Sequence, residues 1–235
     1  MMLGVEKEGL IDNILRLRAV ETELGLTPDL LEVIENLQRQ VGATVKPALA
    51  ARLLGVSQPA LSRWMASGDI AVMLTQHGRH EIPLTQLLTL IEEVRALREE
   101  DHARPLSEVL RRRREDAEAV RPTLRRKLGR LHGGQAEGHR RAELRSLALH
   151  WLVADRIDNA AILRAQRRLD EFERDSKINK HYAKRWREIL SLPPEKIRRI
   201  LTSDTQEARD LRQNSPLPVL VTEPERKLVR ELIAA

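Results

Sequence analysis

Residues 47–65 read Pro47-Ala48-Leu49-Ala50-Ala51-Arg52-Leu53-Leu54-Gly55-Val56-Ser57-Gln58-Pro59-Ala60-Leu61-Ser62-Arg63-Trp64-Met65, a pattern that predicts two short helices joined by a tight turn. Ala51 is small where two helices must cross, and Gly55, four residues later, suits a turn that favours positive φ. Val56 fills the space between the helices, and Ser57 supplies an oxygen to cap the second one. Pro59 falls in that helix's first turn, where a missing N–H costs nothing. Leu61, Trp64 and Met65 give the second helix an apolar face, while Ser57, Gln58, Ser62 and Arg63 make the other side short and polar.

Working outward, Leu30, Ile34, Leu37 and Val41 recur at helical spacing after Thr27-Pro28, a capping residue followed by a proline suited to the first helical position. Leu10, Ile14 and Leu17 form a similar stripe before it, with Gly25 as the break, so residues 1–45 read as a helical pair. Residues 70–84 carry two short apolar runs flanking Gln76-His77-Gly78-Arg79, which predicts one β-hairpin, and a helix follows from Leu84 through Leu87, Leu88, Ile91 and Val94. Residues 99–139 read as a basic helical linker that includes Arg111, Arg112, Arg113 and Arg114, with a crossover near 132–138 around Gly133-Gly134. Leu144, Leu147, Ala148, Trp151 and Leu152 then mark a core-facing helix. Further helices are predicted at about 159–174, 180–190, 194–202, 204–213 and 223–234, punctuated by Pro193-Pro194 and by Pro216 and Pro218. The expected fold is mainly α: an N-terminal helical pair (1–45), a helix-turn-helix with its hairpin (46–98), the linker (99–139) and an α-helical interaction domain (140–235).

Composition narrows the function. The 235 residues include no cysteine, which excludes disulfides, thiolate metal sites and cysteine nucleophiles. With 32% charged residues and no apolar run near the length of a membrane span, no membrane partner is expected, and an N-terminus without an export signal points to the cytoplasm. His77 and His80 sit across a turn without carboxylates at ligand spacing, Gly133-Gly134 lacks the strand and Lys-Ser of a phosphate loop, and no nucleophile stands beside a base. No metal, cofactor or enzymatic activity is therefore expected. Lys plus Arg is 41 against 35 Asp plus Glu, a net charge of +6 with pI near 10.0, so a polyanion is the natural partner. The charge is −4 over residues 1–45, zero over 46–94, +6 over 95–145 and +4 over 146–235. Only five aromatic residues occur, at core-like spacing, which argues against a base-stacking surface for RNA.

Ser57, Gln58, Ser62 and Arg63 are side chains able to hydrogen-bond base edges or phosphates from a helix in the major groove, with Gln58 and Arg63 the first choices for base reading. The run 111–114 reads either as a solvated helix face or as a contact to DNA backbone. The strings Ala50-Ala51-Arg52-Leu53-Leu54-Gly55-Val56-Ser57 and Ser62-Arg63-Trp64-Met65-Ala66-Ser67-Gly68-Asp69-Ile70, the hairpin, and Ile82-Pro83-Leu84 opening a helix resemble the excisionase and MerR-type winged helix-turn-helix over about residues 46–95. That resemblance implies binding of double-stranded DNA as a homodimer, with the hairpin as a wing that brings Gln76, His77, Arg79 and His80 near phosphates. The segments Leu149-His150-Trp151-Leu152-Val153-Ala154, His181-Tyr182-Ala183-Lys184-Arg185-Trp186 and Asp210-Leu211-Arg212-Gln213-Asn214-Ser215-Pro216-Leu217 are similar to bacterial helix-turn-helix proteins encoded beside a nucleotidyltransferase-like toxin. This implies a repressor of its own operon acting as the antitoxin of a toxin-antitoxin pair; an excisionase-like or phage regulator without a toxin is the alternative. The proline-stiffened tail after Arg212 either docks into a partner, with Leu217 and Leu220 as the contact and Arg212 as the polar rim, or packs onto its own helices.

Overall fold

A computed structural model describes residues 4–24, 27–75, 78–131 and 138–234. The chain forms two compact units, Met1–Arg114 and Glu115–Ala235, each with its own apolar cluster. The protein is mainly helical with one small sheet.

In the first unit, α1 (Gly4–Leu24) and α2 (Pro28–Val41) pack as a pair, burying Ile11, Ile14, Leu15, Ile34 and Val41. Thr27 caps α2 as its sequence position suggests, its Oγ1 accepting from the Leu30 N–H at 3.2 Å. A two-residue strand β1 (Thr44–Val45) leads into α3 (Pro47–Leu54) and α4 (Gln58–Ser67), followed by β2 (Met73–Leu74), β3 (His80–Pro83) and α5 (Leu84–Glu99). The predicted hairpin is present, with Met73 opposite Glu81 and Gly78 in the left-handed region. The sheet is larger than expected, because β1 pairs antiparallel with the other edge of β3 to give the order β1-β3-β2. The Thr44 hydroxyl donates to Glu81 Oε2 at 2.6 Å, and the Leu84 N–H donates to the Ala43 carbonyl at 2.9 Å, which fastens this strand to the hairpin's return. The α5 helix buries Leu84, Leu87, Leu88, Leu90, Ile91, Val94 and Leu97.

Both short helices end in the same hydrogen-bonded turn. After α3, Gly55 takes φ +70°, its N–H bonds to the Arg52 carbonyl, and the Val56 N–H bonds to that of Ala51. After α4, Gly68 at φ +76° and Asp69 repeat the pattern onto Met65 and Trp64. At Gly55 a second constraint is added: Arg98 from α5 donates to the Leu54 carbonyl at 2.8 Å, and a Cβ on Gly55 would lie 2.4 Å from its Nη2.

The second unit holds most of α6 (Pro105–Leu131), then α7 (Gly138–Ala154), α8 (Asn159–Arg174), α9 (Lys180–Leu190), α10 (Pro194–Thr202), α11 (Gln206–Gln213), a 3-10 turn (Leu217–Leu220) and α12 (Glu223–Ala234). The α6 helix continues past Pro122, while the crossover expected near 132–138 falls largely on residues 132–137, outside the described residues. Asp158, Asn179 and Thr205 cap α8, α9 and α11 through their side-chain oxygens. Trp186 is fully buried at the centre of this unit and donates its Nε1–H to the Leu211 carbonyl at 3.2 Å. At the start of α12, Glu225 Oε2 accepts from both the N–H and the hydroxyl of Thr222 at 2.9 Å, and Arg156 covers the same buried carboxylate.

Of the two readings of the tail, the structure has it packed onto its own helices, so Leu217 and Arg212 are not a free contact and rim. Leu217 is fully buried and Arg212 is 5% exposed, while Leu220 is half-buried against the same apolar cluster. The guanidinium of Arg212 is held through Nη1, which donates to the backbone carbonyls of Ser203 at 2.5 Å and Leu201 at 3.4 Å, acceptors that replace part of the water it loses. The apolar side chains of the tail gain more by joining this unit's cluster than by staying in water.

Also interior is His150, 1% exposed, whose Nδ1 lies 2.6 Å from the Ser146 carbonyl. Burial pulls its pKa down to about 4; the Ser146 hydrogen bond opposes this and the nearby Arg212 cation adds to it.

Two predictions follow from these constraints. Gly55→Ala forces a Cβ into the left-handed region and displaces Arg98, and should cost about 1–2 kcal/mol in denaturant unfolding. For His150, both states are neutral above about pH 6.5, and below it only the unfolded chain takes up the proton until about pH 4. Stability should thus fall by about 2 kcal/mol between pH 7 and pH 5, and His150→Leu should remove that component from the urea midpoints.

Candidate nucleic-acid interface

The α4 helix turns Leu61 fully inward, with Trp64 and Met65 half-buried beside it against the first unit's cluster. At 100° per residue Arg63 lies about 160° round the helix from Leu61 and Ser62 about 100°, while Gln58, in the first turn, lies only about 60° from it; all three are exposed. Pro59 and Ala66 lie on the same side as Ser62 and Arg63 and are small or compact, so those two side chains stand above a low surface. Among the described residues, none of these three side chains is hydrogen-bonded within the protein. Ser57 is also exposed, but its oxygen is engaged: Oγ accepts from the Ala60 N–H at 3.4 Å, and its carbonyl accepts from Leu61 N–H at 3.1 Å. With Pro59 lacking an N–H, the start of α4 is largely satisfied from within, so its exposed side chains rather than its backbone donors face outward.

The hairpin adds Arg79 and His80, both exposed. Its turn is set by Thr75, whose N–H donates to the Arg79 carbonyl at 2.9 Å and whose carbonyl accepts from the Gly78 N–H at 2.9 Å. Gln76 and His77, expected near phosphates, lie outside the described residues. The edge strand β2 leaves Met73 and Leu74 exposed.

The run 111–114 contributes little free charge. Arg111 and Arg112 both bind Glu108, at 2.6 and 2.8 Å, and Arg113 makes a two-pronged pair with Glu93 at 2.6 and 2.9 Å. Arg114 donates to the Leu110 carbonyl and lies 3.7 Å from Asp69. Hydrogen bonds from Arg111 and then Arg112 hold the Glu108 carboxyl down at about 2, so that these pairs persist throughout the neutral range. The one basic residue of α3, Arg52, is bound to Glu8 at 2.8 Å.

The residues that position the face, Arg98 above all, carry no sequence signature, because their partners are backbone carbonyls more than 40 residues away. Among the described residues, no group of three or more metal-ligating side chains converges, and no helix is long and apolar enough to cross a membrane. No known family model, curated protein or solved structure matches the chain.

Ser57→Ala should lower stability by about 1 kcal/mol through loss of the α4 cap. Ser62→Ala, on the exposed face, should leave the thermal midpoint unchanged, so the two serines are separated by calorimetry alone.

Proposed function

We propose that this chain is a sequence-specific DNA-binding regulator of the winged helix-turn-helix kind, with α4 as the recognition helix and the β2–β3 hairpin as the wing. The observation that carries the reading is the set Gln58, Ser62 and Arg63, exposed and without a hydrogen bond among the described residues, on a helix anchored by buried Leu61 and half-buried Trp64. A helix inserted in the major groove presents Arg63 to the O6 and N7 acceptors of guanine, and Gln58 to the N6 donor and N7 acceptor of adenine. Ser62 completes the polar row, and Arg79 and His80 meet the neighbouring backbone. Occupation of a promoter by such a domain blocks transcription, which makes repression of its own operon the simplest role, in keeping with the resemblance over residues 46–95. A protein partner held through the tail is not part of this reading, since Arg212 and Leu217 are interior.

The test is selection of duplexes from a random library with the full chain, followed by binding of Gln58→Ala and Arg63→Ala to the selected site. Each substitution should cost about 1–3 kcal/mol on the selected duplex and little on random duplex. Recovery of no preferred sequence, or equal losses on both duplexes, overturns the assignment of α4.

A further inference from the structure

Phosphate contacts supply most of the affinity of a DNA-binding protein, so the placement of unpaired cations matters as much as the recognition helix. The unit that contains α4 has 15 Lys plus Arg against 16 Asp plus Glu, a net −1. The second unit has 26 against 19, a net +7, and so holds the chain's entire excess.

Within the second unit the excess is concentrated where α6 ends and α7 begins. Arg125, Arg126 and Arg130 occupy the last two turns of α6, and Arg141 and Arg145 the first two turns of α7. All five are exposed, and among the described residues none of them has an ion-pair or hydrogen-bond partner. Leu124 and Leu128 from α6 join Leu144 and Leu147 from α7 in one apolar cluster, which holds the two helix ends together. Arg140 reinforces the junction by donating to the Leu131 carbonyl at 3.1 Å, and Lys127 sits over the Trp151 ring at 5.3 Å. The contrast with residues 111–114 is sharp. Those arginines are engaged by Glu108, Glu93 and Asp69, whereas the only described acid close in sequence to the α7 arginines is Glu143, which faces Arg209 and Arg212.

We propose that the α6–α7 end of the second unit is a sequence-independent binding surface for the sugar-phosphate backbone of duplex DNA. The span from Arg125 to Arg130 is about 7.5 Å along the helix axis. Duplex DNA presents one negative charge per about 1.7 Å, so that span corresponds to roughly four phosphates, against which α6 sets Arg125, Arg126 and Arg130, with Arg141 and Arg145 added from α7. Exposed guanidinium groups grip phosphate oxygens in pairs. Single-stranded RNA is disfavoured because Trp151 and Trp186 are buried and the remaining aromatic rings are half-buried, leaving no stacking platform beside the arginines. This surface works independently of base reading by α4.

The experiment is the salt dependence of full-chain binding to a random-sequence duplex of about 30 base pairs, compared between wild type and the variant Arg125→Gln, Arg126→Gln, Arg141→Gln, Arg145→Gln. Each arginine on a phosphate adds about 0.9 to the slope of log K against log salt, so the quadruple variant should lose between about 2 and 4 from that slope. The variant Arg111→Gln, Arg112→Gln should keep the wild-type slope. If the quadruple variant does not fold, Arg126→Gln and Arg145→Gln singly should each lose about 0.9. A wild-type slope in the folded variants overturns the proposal, and so does a loss confined to single-stranded RNA of the same length. Failure of the α4 reading looks different: no variant or wild type then prefers a selected duplex, while the slope on random duplex still falls with the α6–α7 arginines.

Discussion

The left-handed turn at Gly55 is the constraint on which the first unit depends. A residue with φ +70° lets the α3 carbonyls of Ala51 and Arg52 find N–H partners in the turn itself. The absence of a side chain there leaves room for the Arg98 guanidinium to close a further carbonyl, that of Leu54. One missing Cβ thus serves backbone geometry and a tie from α5 at once. With the turn fixed, Ser57 starts α4 in a direction that drops Leu61 into the cluster shared with Leu49, Leu54 and Leu87. A looser turn would still give two helices, but not a helix whose polar side is reliably outward.

Charge is organised on a different plan from the one that total composition suggests. An excess of +6 beside a helix-turn-helix pattern invites the assumption that the pattern carries the excess, yet the acids of α1 and α2 offset it and the Arg111 to Arg113 side chains are spent on Glu108 and Glu93. Beyond such pairs with carboxylates, arginine in this protein has two further uses. Some guanidinium groups replace water on backbone carbonyls, as Arg98, Arg198 and Arg212 do, and these are structural; Arg198, for example, closes the carbonyls of Ala154 and Ile157 at the end of α7. Others, such as Arg126 and Arg145, have only solvent about them.

What the sequence made legible was local. Thr27, Ser57 and the stripes of α2, α4 and α5 were readable because caps and apolar spacing act within one or two turns of chain, and the helices at 159–174, 180–190 and 194–202 are bounded by capping residues and prolines. The hairpin was readable from Gly78. Strand β1 was not, since two residues carry no period and Thr44 is placed by Glu81, 37 positions away. The tail from Ser215 to Leu220 was ambiguous for a physical reason: prolines and aliphatic side chains serve equally for docking and for packing, and only the cluster around Trp186 decides between them. The engagement of residues 111–114 was hidden in the same way, because Arg113 meets a carboxylate on another helix. At α4, exposure of Ser62 and Arg63 follows from helical geometry and that of Gln58 from its place in the first turn, whereas the clamp that aims the helix does not.

The split of α4 into an inward set, Leu61, Trp64 and Met65, and an outward set, Gln58, Ser62 and Arg63, bears on how such a protein diversifies. The outward positions make no internal bonds among the described residues, so exchange of their side chains is close to neutral for folding. Mutational drift can therefore sample new surfaces on this helix without passing through unfolded intermediates. The inward positions and Gly55 lack that freedom, and paralogues descended from this chain would be expected to vary in the first set and agree in the second.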